Sequence, residues 1–410
     1  MKLKHIVTTT LLCSLFLNAQ EIYNEDYYIS PDSVSGLLKK QEPKQNKSSK
    51  TNIFSYEKFK NNLKKEYMLE LGGDYHLVYF GTNDSLGNQN SVGGVFRIFG
   101  EWQLLNPNTN NKGSIVFKVE NRHKFSDVSP FDFATEIGYA GLLQSTYTDQ
   151  GNRLTVLYWK QNYLDGRLTT YSGFLDSTEY LDIYLLISPW NAFGNLVFAT
   201  GSATIAGMPD GGLGAMAAYW MNDTTYIVGS IVDANADPTQ AWKGFDTFFN
   251  DFETLKTLEV GLTTAKEQLF FDNFHITLWQ IDARQSVDSS KGYGVSFSLT
   301  HTINKEWFTF LRGGYAKDGG SILTKSLSSG LSHFGFMPKD IYGIGLNWGK
   351  PNEELYGKDP KEQYTSEIFY RYQANKHIQF TPSIQLILNP ALNPQDNFLT
   401  VFGFRLEATF

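Results

Sequence analysis

From about residue 67 to the C-terminus, apolar and polar side chains alternate with a period of two residues through many successive segments. In "VFRIFGEWQL", for instance, Phe96, Ile98 and Trp102 alternate with Arg97 and Glu101. Such alternation predicts β-strands whose two faces lie in different environments. Many of these segments reach or exceed about ten residues, which is the length at which a tilted strand crosses a bilayer. The pattern therefore favours a sheet that spans a membrane.

The composition fits this interpretation. Aromatic residues make up 15% of the chain and glycines number 36, yet the mean hydropathy is only -0.31. Many aromatics and glycines without long apolar runs are typical of strands that turn every second residue toward lipid. Compact turn signals such as "ANK" after Gln373 alternate with long polar stretches at 125–150, 233–255 and 317–338. Short turns at one end and long loops at the other indicate an outer-membrane barrel.

The segments together predict an all-β fold, namely an outer-membrane antiparallel β-barrel of about 16 strands. Predicted strands begin near residues 67, 92, 113, 152, 166, 192, 212, 224, 256, 270, 291, 306, 339, 364, 377 and 397. The barrel domain is expected to span 66–410, after a signal peptide and a short helical segment. A soluble β-sandwich remains the alternative, because its strands also alternate, around a core.

The N-terminal sequence "MKLKHIVTTTLLCSLFLNAQ" places two lysines before a short apolar run, which predicts a cleavable signal peptide over 1–19. The only cysteine, Cys13, lies within it, so the mature chain is expected to have no disulfide and no thiolate chemistry. Residues 20–65 are predicted to form a polar, flexible leader that ends in a short amphipathic helix. This helix, in which Tyr56 and Phe59 recur at helical spacing, is either a plug or an ordinary packing helix.

Motifs for catalysis or metal binding are weak. The stretch "DANADPTQAWKG" (233–244) begins like a calcium loop, but Pro238 stands where the turn glycine belongs. "GLSHFG" (330–335) resembles a nucleophile elbow, but Phe334 replaces its second glycine, and the stretch lies in a predicted loop. No pair of histidines in the mature chain has the spacing of a zinc site. We therefore predict no catalytic residue, no metal and no cofactor, although an enzyme built on a barrel wall remains a second hypothesis.

Several segments carry a more specific signature. They are "LYWKQNYLDGRLTTYSGFLD" (157–176), "TEYLD" (178–182), "VDANADP" (232–238), "EIFYRYQANKHIQFTPSIQLILNP" (367–390) and "FGFRLEATF" (402–410). An E-x-x-Y-R strand, a T-P-x-x-Q-x-x-x-N-P hairpin arm and a final G-x-R strand ending in Phe follow one another at the right spacing. Over about 157–410 this pattern resembles the carbohydrate-selective porins of the OprB type. Upstream, "FSYEKFKNNLKKEY" replaces the W-G-G-x-R-like segment that the family often has before its first strand.

The resemblance implies a sixteen-stranded barrel that passes mono- and small oligosaccharides by passive diffusion. In the family the channel narrows around arginines and acidic residues, and strand order and facing match these to Arg97, Glu101, Glu120 and Arg122. An arginine supplies a fork of donors, and a carboxylate accepts from sugar hydroxyls. Further lumen-wall candidates are Arg312, Glu367, Arg371, Arg405 and Glu407. The competing interpretation is that all these charges form structural ion pairs that never touch a solute.

The expected partners follow from this class of protein. They are small neutral sugars, outer-membrane lipid and lipopolysaccharide, and the barrel-assembly machinery; both homotrimers and monomers occur in the class. Loss of Lys2 and Lys4 with the signal would change the net charge from -7 to about -9, which argues against nucleic-acid binding. A general or anion-preferring porin is the alternative function, because the same arginines suit it.

The C-terminal strand generates a first prediction. Phe410 is an aromatic residue on the apolar face of "FLTVFGFRLEATF". Its resemblance to the terminal aromatic of outer-membrane proteins in general implies that it is the signal read by the assembly machinery. Deletion of Phe410 should impair membrane insertion, measured as the fraction of heat-modifiable, folded barrel in isolated outer membranes. Normal insertion of the shortened chain would contradict this role.

Overall fold

The computed structural model describes residues 30–41, 56–335 and 340–410, and sixteen strands are formed within these ranges. They are β1 (Leu69–Thr82), β2 (Asn90–Leu105), β3 (Gly113–Lys124), β4 (Gly151–Tyr163), β5 (Leu168–Leu175), β6 (Gly212–Trp220), β7 (Thr225–Asp233), β8 (Thr254–Thr263), β9 (Asn273–Ile281), β10 (Gly292–Ile303), β11 (Trp307–Asp318), β12 (Leu323–Phe334), β13 (Ile341–Pro351), β14 (Gln363–Gln373), β15 (Ile378–Leu388) and β16 (Phe398–Thr409). Each strand pairs antiparallel with its neighbours in sequence.

The sheet closes on itself. β1 pairs antiparallel with β16, for instance with Phe80 opposite Gly403, so that the strands form one continuous ring. In lipid an unpaired strand edge would leave its N–H and C=O groups without partners, and closure removes that edge. The predicted all-β barrel is therefore confirmed, while the predicted signal peptide over 1–19 lies outside the described residues.

Helices connect and accompany the strands. They are α1 (Val34–Gln41), α2 (Tyr56–Tyr67), α3 (Phe133–Glu136), α4 (Gly244–Asp246) and α5 (Glu353–Tyr356). Short 3₁₀ turns occupy Ser177–Glu179, Leu196–Phe198, Thr200–Ala203, Pro238–Lys243, Lys266–Gln268 and Gln285–Val287, and a π turn occupies Thr247–Asp251. Among the described residues, no helix has the length and apolar character needed to cross a bilayer.

The alternation in the sequence sorts the two faces of the wall. Ile98 and Phe402 point outward and are exposed, whereas Arg97 and Arg405 point inward and are buried. Phe410 also lies on the outer surface, where its ring stacks on that of Phe96 at 5.9 Å between centroids. The outer surface is thus largely apolar and aromatic, as lipid requires, whereas inward charges such as Arg97 and Arg405 are enclosed.

The long connections gather at one end of the barrel. Residues 83–89, 125–150, 176–211 and 234–253 link strands at that end, whereas 106–112, 164–167 and 221–224 are short turns at the other. Residues 176–211, which we call the inner loop, leave the wall after β5 and fold into the lumen before β6 begins. Its apolar side chains Tyr184, Phe193 and Phe198 are almost fully buried there.

Two of the predicted strand positions are wrong, and the errors cancel in the count. The strand expected near residue 192 belongs to the inner loop, whose residues are apolar because they pack inside the lumen. The polar loop expected over 317–338 instead contains β12, and this strand includes most of "GLSHFG". Its inward residues Ser326, Ser328 and Ser332 are small, which leaves room for the inner loop, and Ser328 Oγ donates to Val197 O at 2.8 Å.

The N-terminal segment also differs from the prediction. The prediction of a flexible leader does not hold for residues 30–41, because α1 lies inside the lumen with Val34, Leu37 and Leu38 buried. The helix predicted from Tyr56 onward is present as α2, but none of its residues is buried. It lies at the short-turn end, where Trp102 Nε1 donates to Tyr67 O at 3.0 Å. The lumen is therefore entered by α1, and α2 packs outside it.

Two glycines provide a test of how the inner loop is held. A Cβ on inward-facing Gly345 would lie 2.6 Å from Phe198 Cε1, whereas one on outward-facing Gly229 would have no neighbour closer than 3.8 Å. Overpacking of this kind typically costs about 1–3 kcal/mol. We expect Gly345→Val to displace Leu196–Phe198 and expose the inner loop to chymotrypsin in an intact, heat-modifiable barrel. Gly229→Val, the same substitution facing lipid, should leave the digestion pattern unchanged; equal digestion of both variants would contradict the packing.

Candidate functional site in the barrel lumen

The inner loop occupies the lumen because both it and part of the wall are apolar. Phe193 packs against two inward aromatic residues, Phe369 of β14 at 4.8 Å and Phe310 of β11 at 5.7 Å between ring centroids. Burying a large apolar side chain contributes about 1.5–3 kcal/mol. This contact places the loop against β10–β14, and the opposite side of the lumen is lined by the charged residues of β1–β4.

Asp182 anchors the middle of the inner loop. One carboxylate oxygen lies 2.7 Å from His275 Nε2, and the other accepts from Arg312 Nη2 and from the Gly201 N–H. Burial opposes ionisation of this carboxyl, but Arg312, His275 and the Gly201 N–H outweigh it and hold the pKa of Asp182 below its ordinary value. Arg312 also lies over the Tyr184 ring at 3.9 Å, so both of these contacts bind its guanidinium to the inner loop.

The other predicted wall residues hold the same loop. Glu367 accepts from the backbone N–H groups of Gly194 and Asn195 at 2.8 and 2.9 Å. Arg405 donates to Pro189 O at 2.6 Å and to Ala192 O. Arg371 Nη1 donates to Asn191 Oδ1 at 3.3 Å. Four of the five lumen-wall candidates, including Arg312, therefore hold the inner loop against the wall. The fifth, Glu407, pairs instead with Lys40 of α1 at 2.7 Å.

Arg97 lies at the centre of a compact charged group. Its Nε and Nη2 donate to the two oxygens of Asp74 at 2.7 and 2.8 Å, and Nη2 lies 3.0 Å from His76 Nε2. Trp190 of the inner loop covers the guanidinium at 4.3 Å. A fork-to-fork pair under an aromatic ring fixes the guanidinium rigidly. Arg97 is thus shared between the wall and the inner loop.

Glu120 and Arg122 form a second group. Arg122 donates to Glu120 at 2.7 Å through Nε, and its Nη2 lies 3.6 Å from Asp210 at the end of the inner loop. Arg153 of β4 joins them, since Arg153 Nη2 donates to Asp210 and its Nε lies 3.9 Å from Glu120. Asp210 keeps about a third of its side chain exposed, at 31%. Solvent therefore reaches this otherwise buried group at Asp210.

A third pair links β3 to the start of the inner loop. Lys118 Nζ lies 2.8 Å from Glu179 and 3.4 Å from Asp176, and Tyr158 donates to Glu179 at 3.2 Å. Burial raises the pKa of Glu179 to about 7, Lys118 opposes this shift, and Asp176 adds to it. The Glu179 carboxyl therefore changes its charge near neutral pH.

Glu101, the remaining predicted constriction residue, faces α1. Its Oε2 accepts from Ser35 Oγ at 2.6 Å, and Lys160 of β4 lies 3.4 Å from Oε1. The four predicted constriction residues are thus all inward and buried, but they fall into three groups, with Glu120 and Arg122 together and Arg97 and Glu101 apart. Their contact with a solute stays a prediction.

Sequence reasoning missed several partners of these residues. Lys118 shares the inward face of β3 with Glu120 and Arg122, and Lys160 is the buried neighbour of Trp159 on β4, so alternation could have found both lysines. Asp176, Asp182 and Asp210 come from the inner loop, whose path into the lumen has no local sequence signal. Within the described ranges, Asp74, His76 and Glu407 also place ligand atoms within 4.8 Å of one another. Arg97 and Lys40 already neutralise these two carboxylates, so a metal ion would compete with fixed cations.

Glu179 makes the docking of the inner loop dependent on pH. Since its pKa is raised from 4.5 to about 7, its stabilisation of the docked loop is complete below pH 4.5 and is lost as pH rises through 7. Asp182 acts in the opposite sense and contributes above pH 3.8. We expect single-channel current noise in planar bilayers to increase across the range from 4.5 to above 7, and Glu179→Gln to abolish the increase. Glu267→Gln, in the turn before β9, should keep it; a flat profile for the unmodified protein would contradict the assignment.

Solved structures share this architecture. The structure of Pseudomonas putida OprB at high pH has 14% sequence identity and a TM-score of 0.68, with 89% of this chain and 100% of that chain covered. The low-pH structure of the same protein gives a TM-score of 0.51 at the same identity and coverage. The outer membrane channel DcaP of Acinetobacter baumannii gives 12% identity and a TM-score of 0.50, covering 83% and 97%. At these identities the similarity shows the fold alone.

The C-terminal part of the sequence matches a known protein family. Comparison with curated proteins finds no match. The family of carbohydrate-selective porins, OprB family, matches residues 258–410, from β8 to the C-terminus, which includes the E-x-x-Y-R and G-x-R strands. The resemblance predicted from those motifs is therefore confirmed: over residues 258–410 this chain matches the OprB family of carbohydrate-selective porins, on a barrel whose fold is that of a porin.

Proposed function

We propose that this protein is an outer-membrane porin through which mono- and small oligosaccharides diffuse passively. The family match over 258–410 and the closed barrel support a channel that performs no covalent chemistry. The outward apolar face supports a position in the outer membrane, reached through the predicted signal peptide. Lipid and lipopolysaccharide would surround the barrel, and the assembly machinery would insert it.

One observation supports sugars as the solute. The inner loop lies in the lumen beside a belt of charged side chains on β1–β4, in which Arg97, Glu120 and Arg122 are each held in defined orientations. Fixed donors and acceptors match the adjacent hydroxyls of a sugar. An apolar solute would displace water from these groups without replacing the hydrogen bonds, which is unfavourable. Passage also requires weak binding, so an affinity near millimolar, about 4 kcal/mol, is expected.

We expect substitutions of Arg97 and Arg122 to affect sugar selectivity in different ways. Arg122 belongs to the group that solvent reaches through Asp210, whereas Arg97 is covered by Trp190. We therefore expect Arg122→Ala to reduce sugar selectivity directly. Arg97→Ala would leave the buried Asp74 carboxylate without its arginine and with only His76 beside it, and would release Trp190. The variant should therefore have both a wider channel and a lower selectivity.

Liposome swelling tests the proposal. Purified refolded protein should admit glucose faster than an anion or a cation of similar size, and Arg122→Ala should lower the glucose rate severalfold. Lys325→Ala, which removes one positive charge from the outer face of β12, is the matched control and should have no effect. Equal rates for the three solutes would leave a general porin, and a preference for the anion unaffected by oligosaccharide would favour an anion-preferring one. No swelling by a folded barrel would rule out the transport function.

A further inference from the structure

The side chain of Ser35 lies between two opposite charges of the lumen wall. Its Oγ donates to Glu101 Oε2 at 2.6 Å and accepts from Lys160 Nζ at 2.9 Å. The two charged groups are farther from each other, with Lys160 Nζ 3.4 and 3.5 Å from the Glu101 oxygens. A hydroxyl that donates to a carboxylate and accepts from an ammonium forms two charge-assisted hydrogen bonds at once.

The rest of α1 is held in a way that permits exchange. Val34, Leu37 and Leu38 are buried in a cluster that includes Phe99 and Val116 of the wall. Lys40 pairs with Glu407 at 2.7 Å, and Gln41 Nε2 donates to Gly73 O at 3.2 Å. The described helix α1 spans eight residues, and a helix of this length is marginal by itself in water. Its position thus depends on contacts with the barrel.

We propose that Glu101 and Lys160 form a binding subsite for a sugar hydroxyl, which Ser35 occupies as an internal competitor. The inference rests on the proposed function, because it assigns the hydroxyl-bearing solute of that channel to a particular pair. A neutral sugar offers the same donor and acceptor at each hydroxyl, so it replaces Ser35 without any change in the net charge of the site. Binding of the solute then displaces α1 and opens the path that the helix occupies. The N-terminal segment is in this way a plug released by the molecule that the channel passes.

The experiment uses a thiol at the position of Ser35. The chain's only cysteine, Cys13, lies in the predicted signal peptide, so Ser35→Cys gives the mature barrel a single thiol. The rate at which a maleimide labels this thiol is measured in liposomes at increasing glucose concentration. Glycine betaine at the same osmotic strength is the reference solute. Glucose should accelerate labelling with saturation, because it displaces α1. Unchanged or slower labelling, in a barrel that swelling shows to admit glucose, would overturn the proposal.

Three substitutions distinguish competition between Ser35 and the sugar from simple obstruction of the lumen by α1. Ser35→Ala removes the competing hydroxyl and should lower the glucose concentration that half-blocks the ion current by about tenfold, the usual weight of a charge-assisted hydrogen bond. Glu101→Gln and Lys160→Met damage the subsite itself and should raise that concentration. Ser298→Ala, at an inward serine of β10 on the opposite wall, is the control. An unchanged half-blocking concentration for Ser35→Ala would contradict competition.

The two proposals fail differently. Ion conductance measured without sugar depends on how firmly α1 is held in the lumen and not on which solute is transported. Ser35→Ala should therefore increase this conductance. If swelling shows no glucose passage, the proposed function fails and the subsite falls with it. If glucose passes while labelling and half-blocking stay unchanged, the sugar channel stands and only the internal competitor is refuted.

Discussion

Closure of the sheet by the pairing of β1 with β16 is the constraint on which the rest of this structure depends. In lipid each backbone N–H and C=O must find a partner inside the protein, and an open edge would leave a whole row without one. The closed ring then determines the two faces: outward side chains meet lipid, and inward side chains are enclosed together. Charges such as Arg97 and Glu120 are tolerated because closure surrounds them with partners of opposite sign.

The lumen is divided by what fills it. Apolar inward residues such as Phe310 and Phe369 hold the inner loop, while Arg312, Glu367 and Arg405 fasten its backbone and its Asp182. The charged belt on β1–β4 faces the remaining space, where α1 lies. Charged wall residues on β11, β14 and β16 therefore hold the middle of the inner loop, whereas those on β2–β4 pair with one another, with α1 and with other parts of the inner loop.

Much of the fold follows from alternation, and its failures are informative. Alternation oriented Arg97, Glu101, Glu120 and Arg122 inward, because lipid and lumen impose opposite demands on successive residues. It failed at residues 192–198, where Phe193 and Phe198 are apolar for a different reason, namely packing inside the lumen. Alternation also failed to predict β12, because its inward residues are serines and such a composition is typical of a loop. A single apolar residue cannot indicate whether lipid or another side chain covers it.

The sequence by itself determined the class of fold, the facing of the strands and the resemblance to carbohydrate-selective porins, because these depend on local periodicity and short motifs. Tertiary structure alone decided which charges meet. Ser35 reaches Glu101, and Asp182 reaches Arg312, across 66 and 130 residues of chain. Such pairs arise from the path of α1 and of the inner loop through the lumen, and that path is set by the shape and polarity of the enclosed space, which exists only once the barrel has closed.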